Sequence, residues 1–290
     1  MRNTFINNLV KRARLDDSII LIVGDLGFNV VEPFQSEFPD RFINAGICEQ
    51  NMASMSAGLA SEGYKVFIYS IGNFPTFRAA EQIRNDVCYH NLDVTIVTVG
   101  GGLAYGNLGY SHHAIQDYGL MRLFPEMTLL SPGDPNEVVY CMDFIFKDKF
   151  PKYLRLRKAG EENFNFNKVH EKPGHWNRIT NKKSKKIFLS TGNGLKLASD
   201  LVKYNKKYID FDVYSCPIWG IKYVSFQENL TANFDKIITI EDHLLSGGFG
   251  SWIKESITDN NLITKISTMN LDLSVIGKVG SEEYLLKSLK

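Results

Sequence analysis

Glu49 is the residue whose neighbours best equip it for chemistry. It lies in Ile43-Asn44-Ala45-Gly46-Ile47-Cys48-Glu49-Gln50-Asn51-Met52, directly after an apolar, strand-like run. Small side chains follow at Ala53, Ser54, Ala57, Gly58 and Ala60, at spacings that place them on the faces of one helix, and Gly63 reads as its stop. A carboxylate at such a helix start either caps free backbone N–H groups or holds a proton in a packed cleft. His112 and His113 form a second candidate pair, since an imidazole of ordinary pKa, about 6.5, donates to or accepts from a hydroxyl or carbonyl at neutral pH. Against that, most single histidines only satisfy local hydrogen bonds. Gly100-Gly101-Gly102 offers backbone N–H groups to an anion, but outside a defined strand-to-helix turn the run reads mainly as room for a substrate.

The elements that must position these residues alternate. Ser18–Val23, Lys65–Tyr69, Val94–Val99 and Met127–Leu130 are short apolar or β-branched runs, and the segments between them have helical spacing. That pattern predicts a parallel sheet covered on both faces. Between about Lys158 and Lys186 the composition turns to Lys, Asn, Glu and Gly with Pro173, which places the linker there. Alternation resumes with Ile187–Ser190, a helix after Gly194, Phe211–Tyr214, Lys236–Ile240 and a helix beyond Gly250. The predicted class is α/β, as two doubly wound domains at residues 1–160 and 186–290 joined by a linker at 161–185.

Composition narrows the function classes. A chain of 290 residues with 44% apolar content has material for two cores. A net charge of +1 gives no support for nucleic-acid or anionic-membrane binding. Cys48, Cys88, Cys141 and Cys216 are scattered without a CxxC pair, so neither a zinc site nor a disulfide framework is expected. The first apolar run, preceded by Lys11, Arg12, Arg14 and Asp16, is too short for a signal or membrane span, and a cytoplasmic location is expected.

The run INAGICEQNM, followed in order by FRAAEQIRND (Phe77–Asp86), GYSHHAIQDYGLMRLFPEMTLLSPGDPNE (Gly109–Glu137) and TIEDHLLSGGFGS (Thr239–Ser251), resembles the carboxyl-terminal half of a transketolase. The resemblance implies a thiamine-diphosphate pyrimidine-binding domain followed by a transketolase carboxyl-terminal domain. It also implies that the diphosphate-binding domain is supplied by an amino-terminal transketolase subunit, two copies of each chain forming a heterotetramer. Thiamine diphosphate is then the cofactor, with Mg2+ or Ca2+ held by that partner and no metal site here. By the same resemblance Glu49 is the acid that activates the cofactor's aminopyrimidine. Asp25, Leu26, Ile47, Phe74 and Phe77 form its pocket, with Phe74 the best match to the stacking aromatic; the carboxyl ends of parallel strands are where such a pocket belongs. For Asp25 a turn or cap role is an equal reading. His112 takes the place of the family's substrate-contacting, proton-relaying histidine, and His113 stands where the family has Gln. His243 belongs to the second domain and is expected to be structural or interfacial.

The departures bear on substrate. Gly100 stands where the family has a phosphate-contacting histidine, twelve positions before His112. Asn107 and Leu108 replace an acidic pair whose aspartate contacts a donor hydroxyl. Lys158 replaces a phosphate-binding arginine, a point charge for a bidentate fork. The implied activity is two-carbon ketol transfer between sugars, with specificity moved away from common pentose and hexose phosphates. Transfer of an acyl unit from a 2-oxo acid, and a noncatalytic assembly role, remain as alternatives.

Overall fold

The computed structural model describes residues 1–158, 160–164 and 172–290. Twelve strands run among them: β1 (Ile19–Val23), β2 (Phe42–Asn44), β3 (Lys65–Ile71), β4 (Val94–Val99), β5 (Thr128–Leu130), β6 (Lys152–Leu156), β7 (Asn177–Arg178), β8 (Lys186–Ser190), β9 (Asp212–Ser215), β10 (Ile218–Trp219), β11 (Lys236–Leu244) and β12 (Ile266–Leu271). The first sheet has the order β10-β5-β6-β4-β3-β1-β2, and the second β12-β11-β8-β9-β7. Every pairing is parallel except the edge pairs β10·β5 and β7·β9. The class is therefore α/β with two mainly parallel sheets.

Strands β1 and β4 are buried at every position, the first an unbroken Ile, Leu and Val run and the second a β-branched run of Val, Ile and Thr, as strands covered on both faces are. On one face the helices Arg2–Ala13 and Pro135–Lys147 bury Phe5, Leu9, Val138 and Ile145. On the other, the helix Glu49–Ser61 lays Met52, Ala53, Ala57 and Ala60 against Ile20, Ile22 and Ile68. Its small residues let it lie close to the sheet.

Two expectations need correction. The segment expected as a linker, residues 161–185, contains β7, which hydrogen-bonds along β9 as an edge of the second sheet. The expected separation of two cores also fails at β10, which leaves the second unit to pair antiparallel with β5 of the first. There Trp219, fully buried, packs against Tyr118, Phe249 and Trp252 at ring-centroid distances of 5.1, 5.3 and 5.3 Å. One apolar cluster thus runs through both units. Two-residue strands carry no periodicity, so neither exchange was legible in sequence.

Candidate functional site

Three strand ends converge on Glu49. β2 stops at Asn44, Gly46 takes a left-handed turn, and the helix opens at Glu49. β1 ends in the turn through Asp25, and the two turns are tied together: Asp25 N–H and Gly46 N–H donate to Asn44 Oδ1 at 3.1 and 3.0 Å, and Asn44 Nδ2 donates to Asp25 Oδ1 at 3.0 Å. Asp25 thereby ties the turn after β1 to the turn after β2. Beyond β3 the short helix Asn73–Arg78 carries Phe74, Phe77 and Arg78.

Glu49 is 4% exposed, and its carboxylate accepts from Arg78 Nη1 at 2.9 Å. No side chain caps the first turn of its helix. A buried carboxylate needs a partner, and this one has a half-exposed guanidinium. The same Arg78 lies 4.2 Å from the centroid of Phe74, four residues back on the helix. Glu49 and Arg78 line an open cleft of about 530 Å³ with Ile47, Cys48, Gln50 and Asn51. Ile47 is 72% exposed at its rim.

Phe74 meets the His112 ring edge-on at 5.1 Å. Asn73 Nδ2 holds the two segments together by donating to the carbonyls of Ser111 and His113 at 3.2 and 3.0 Å. His112 Nδ1 lies 3.0 Å from Ser111 Oγ. Burial pushes the His112 imidazole below its ordinary pKa, aided by His113 and Arg78, so it is neutral at pH 7. Beyond it, Tyr105 stands edge-on to His112 at 6.4 Å and carries the Lys158 ammonium 5.3 Å from its ring centroid.

Through Arg78 and Tyr105 the structure joins Glu49, Phe74, His112 and Lys158 in one line, with Ile47 on the cleft of Glu49 and Leu26 half-buried in the turn that follows β1. Phe77 sits half-exposed on the same short helix as Phe74 and makes no ring contact among the described residues. His113 differs from its expected substrate contact: it is 1% exposed, and its Nε2 is 3.1 Å from the Gly106 carbonyl oxygen, so it braces the loop. The glycine run also departs from expectation. Gly101 and Gly102 N–H donate to the carbonyls of Leu156 and Ala114, which leaves neither for an anion. The expected room is filled by Tyr105, Arg155 and Asp242, whose atoms would overlap a Cβ on Gly100, Gly101 and Gly102 respectively. Arg78 and Tyr105 are the residues that sequence reasoning missed. The Phe74–Arg78 spacing was a readable signal; the loop position of Tyr105 gave none.

A carboxylate and an exposed aliphatic side chain share one cleft with Arg78, and Arg78 packs on the Phe74 ring, an arrangement that suits the edge of a flat, weakly basic heteroaromatic ring. Among the described residues no group of three or more His, Cys, Asp or Glu can hold a metal ion. No helix among them is long and apolar enough to cross a membrane.

Residues 1–160 match the family described as transketolase, pyrimidine binding domain. A protein of Methanocaldococcus jannaschii described as a transketolase C-terminal section is 31% identical, across 99% of this chain and 90% of its own length. One subunit of the apulose-4-phosphate transketolase of Actinobacillus succinogenes is 28% identical, over 90% of this chain and 84% of its own. Among solved structures, a split-gene transketolase described as an inactive β4 tetramer superposes with a TM-score of 0.80 at 24% identity, covering 99% and 91% of the two chains. That last likeness shows the fold.

Proposed function

Because this chain belongs to the transketolase family, we propose that it is the pyrimidine-binding and carboxyl-terminal subunit of a two-gene enzyme that transfers a two-carbon ketol unit between sugars. The family uses thiamine diphosphate, which when bound supplies an electron sink at its thiazolium carbon. The observation that carries the reading is Glu49, a buried carboxylate at a helix start that opens on a cleft shared with Ile47 and with Arg78, which packs on Phe74. Such a carboxylate would hold a proton at the pyrimidine ring nitrogen of the bound cofactor and so favour the tautomer that the chemistry needs. Ile47, on the same cleft, would wall one side of the ring, and Phe74, packed on Arg78, would stand behind that wall. His112, neutral at pH 7, gives or takes a hydrogen bond at a substrate hydroxyl or carbonyl.

The partner that brings the diphosphate site, and Mg2+ or Ca2+ with it, is an amino-terminal transketolase subunit, and the assembly proposed is two copies of each. The four cysteines are free thiols, in keeping with a cytoplasmic setting. Gly100, Leu108 and Lys158 in place of phosphate and hydroxyl contacts support a shifted donor.

The reading predicts no turnover by this chain alone. In the reconstituted complex, Glu49→Gln abolishes turnover and slows exchange of the thiazolium proton by about a hundredfold or more, while the subunits still assemble. Exchange in the variant at the parent rate would remove Glu49 from the activating role.

A further inference from the structure

Tyr105 occupies the space that a side chain at position 100 would need. A Cβ on Gly100 would overlap two carbons of its ring, and the φ of +80° there disfavours any other residue. The backbone beneath the ring is held in place, the Tyr105 carbonyl accepting from Leu108 N–H at 2.9 Å. Its outer side faces the two groups expected along a substrate: His112 edge-on at 6.4 Å, and Lys158 over the ring at 5.3 Å. Burial holds the phenol above its ordinary range despite the nearby Arg2, so the hydroxyl keeps its proton at neutral pH. The wall is therefore uncharged and aromatic, and the cation beyond it rests on the ring face.

We propose that Tyr105 is a specificity-determining wall that limits the length of the donor, favouring ketoses that end a short way beyond the carbon–carbon bond to be cleaved. This rests on the ketol-transfer reading, which brings His112 to the reacting carbons. A donor whose chain ends early reaches His112 and stops short of the Tyr105 ring. A longer one must pass the ring, where the missing histidine of position 100 would otherwise have held its far end. Excluding a chain by bulk gives moderate discrimination, about tenfold to a hundredfold for each group turned away.

The test compares two donors in the complex with its diphosphate-binding subunit: hydroxypyruvate, which ends at its carboxylate, and xylulose 5-phosphate. In Tyr105→Ala, the ratio of kcat/KM for xylulose 5-phosphate to that for hydroxypyruvate should rise about tenfold or more, and Tyr105→Phe should restore the parent ratio because volume, not the hydroxyl, does the excluding. A smaller rise in Tyr105→Ala, or an equal rise in Tyr105→Phe, overturns the inference. Tyr105→Leu guards against misfolding: if it and Tyr105→Ala both lose hydroxypyruvate turnover together with the longer donor, the ring is a packing group and the inference is overturned. A parent complex that consumes pyruvate but not hydroxypyruvate overturns the ketol-transfer reading instead. Tyr105 is then judged by the same ratio with 2-oxohexanoate against pyruvate.

Discussion

A charge placed inside a protein has to be answered by a partner or abandoned as a charge, and the single residues of this chain show both outcomes. Glu49 is answered by Arg78 across 29 positions of sequence, a pairing that no local spacing announces. His243 is abandoned. It is fully buried, stacked on Tyr118 at 5.0 Å, with Nδ1 donating to the Leu244 carbonyl at 2.6 Å and Nε2 without a hydrogen bond. Burial pushes its imidazole down to about 4, only partly opposed by Asp117. A histidine whose folded pKa is depressed stabilises the fold fully above its unfolded pKa, about 6.5, and that contribution is lost as pH falls through the folded value. Between those limits the loss is on the order of 3 kcal/mol. His243→Phe keeps the stack, forfeits the Leu244 bond at every pH, and cannot titrate. Its urea-unfolding free energy should therefore lie below the parent's at pH 7 and fall less steeply toward pH 4. Parallel curves for the two proteins would refute the assignment.

At the scale of elements, legibility followed length and burial. β1, β3, β4, β8 and β11 were readable because their apolar runs lie inside both sheets. β7 and β10 are two residues long, and β12, at a sheet edge, is mostly half-exposed between its buried ends, so their pairings come from tertiary context that a one-dimensional pattern lacks. The helix at Glu49 was legible from its small residues, whereas the loop that brings Tyr105 onto Gly100 was not, since a glycine in sequence does not say what will fill its space. Caps are intermediate. Asp134 stands before Pro135 at the start of the helix Pro135–Lys147; its Oδ1 accepts from Glu137 N–H at 2.8 Å and its Oδ2 from Phe164 N–H at 2.9 Å. Asp134→Ala removes a helix cap and a tether to the segment beyond β6. A loss of about 2 kcal/mol in chemical unfolding is expected, with Asp134→Asn recovering about half of it, because its amide oxygen still caps while its NH2 cannot accept from the second N–H. A loss below about 0.5 kcal/mol would mean that the cap carries no weight.

For the whole molecule, the question is what makes two sheets one body, and the answer is a buried arginine as much as the shared core. Arg155 on β6 donates from Nε to Asp117 at 2.8 Å, from Nη1 to Asp242 on β11 at 2.8 Å and to the Tyr118 hydroxyl at 2.9 Å, and from Nη2 to the Ala114 carbonyl at 2.7 Å. Both aspartates are completely buried. The cluster crosses from the first sheet to the second, so breaking it leaves carboxylates stranded on each side of the joint. Removing one member of a buried ionic group costs about 3 to 5 kcal/mol, mainly because the remaining charge is unpaired, while replacing the whole group by neutral side chains costs far less. Arg155→Met should accordingly destabilise the chain by that amount in urea unfolding. Adding Asp117→Asn and Asp242→Asn should return at least about half of the loss, since the stranded charges are then gone. A single variant that costs under about 1 kcal/mol, or a triple variant worse than the single, would show that the Arg155 cluster does not hold the two units together.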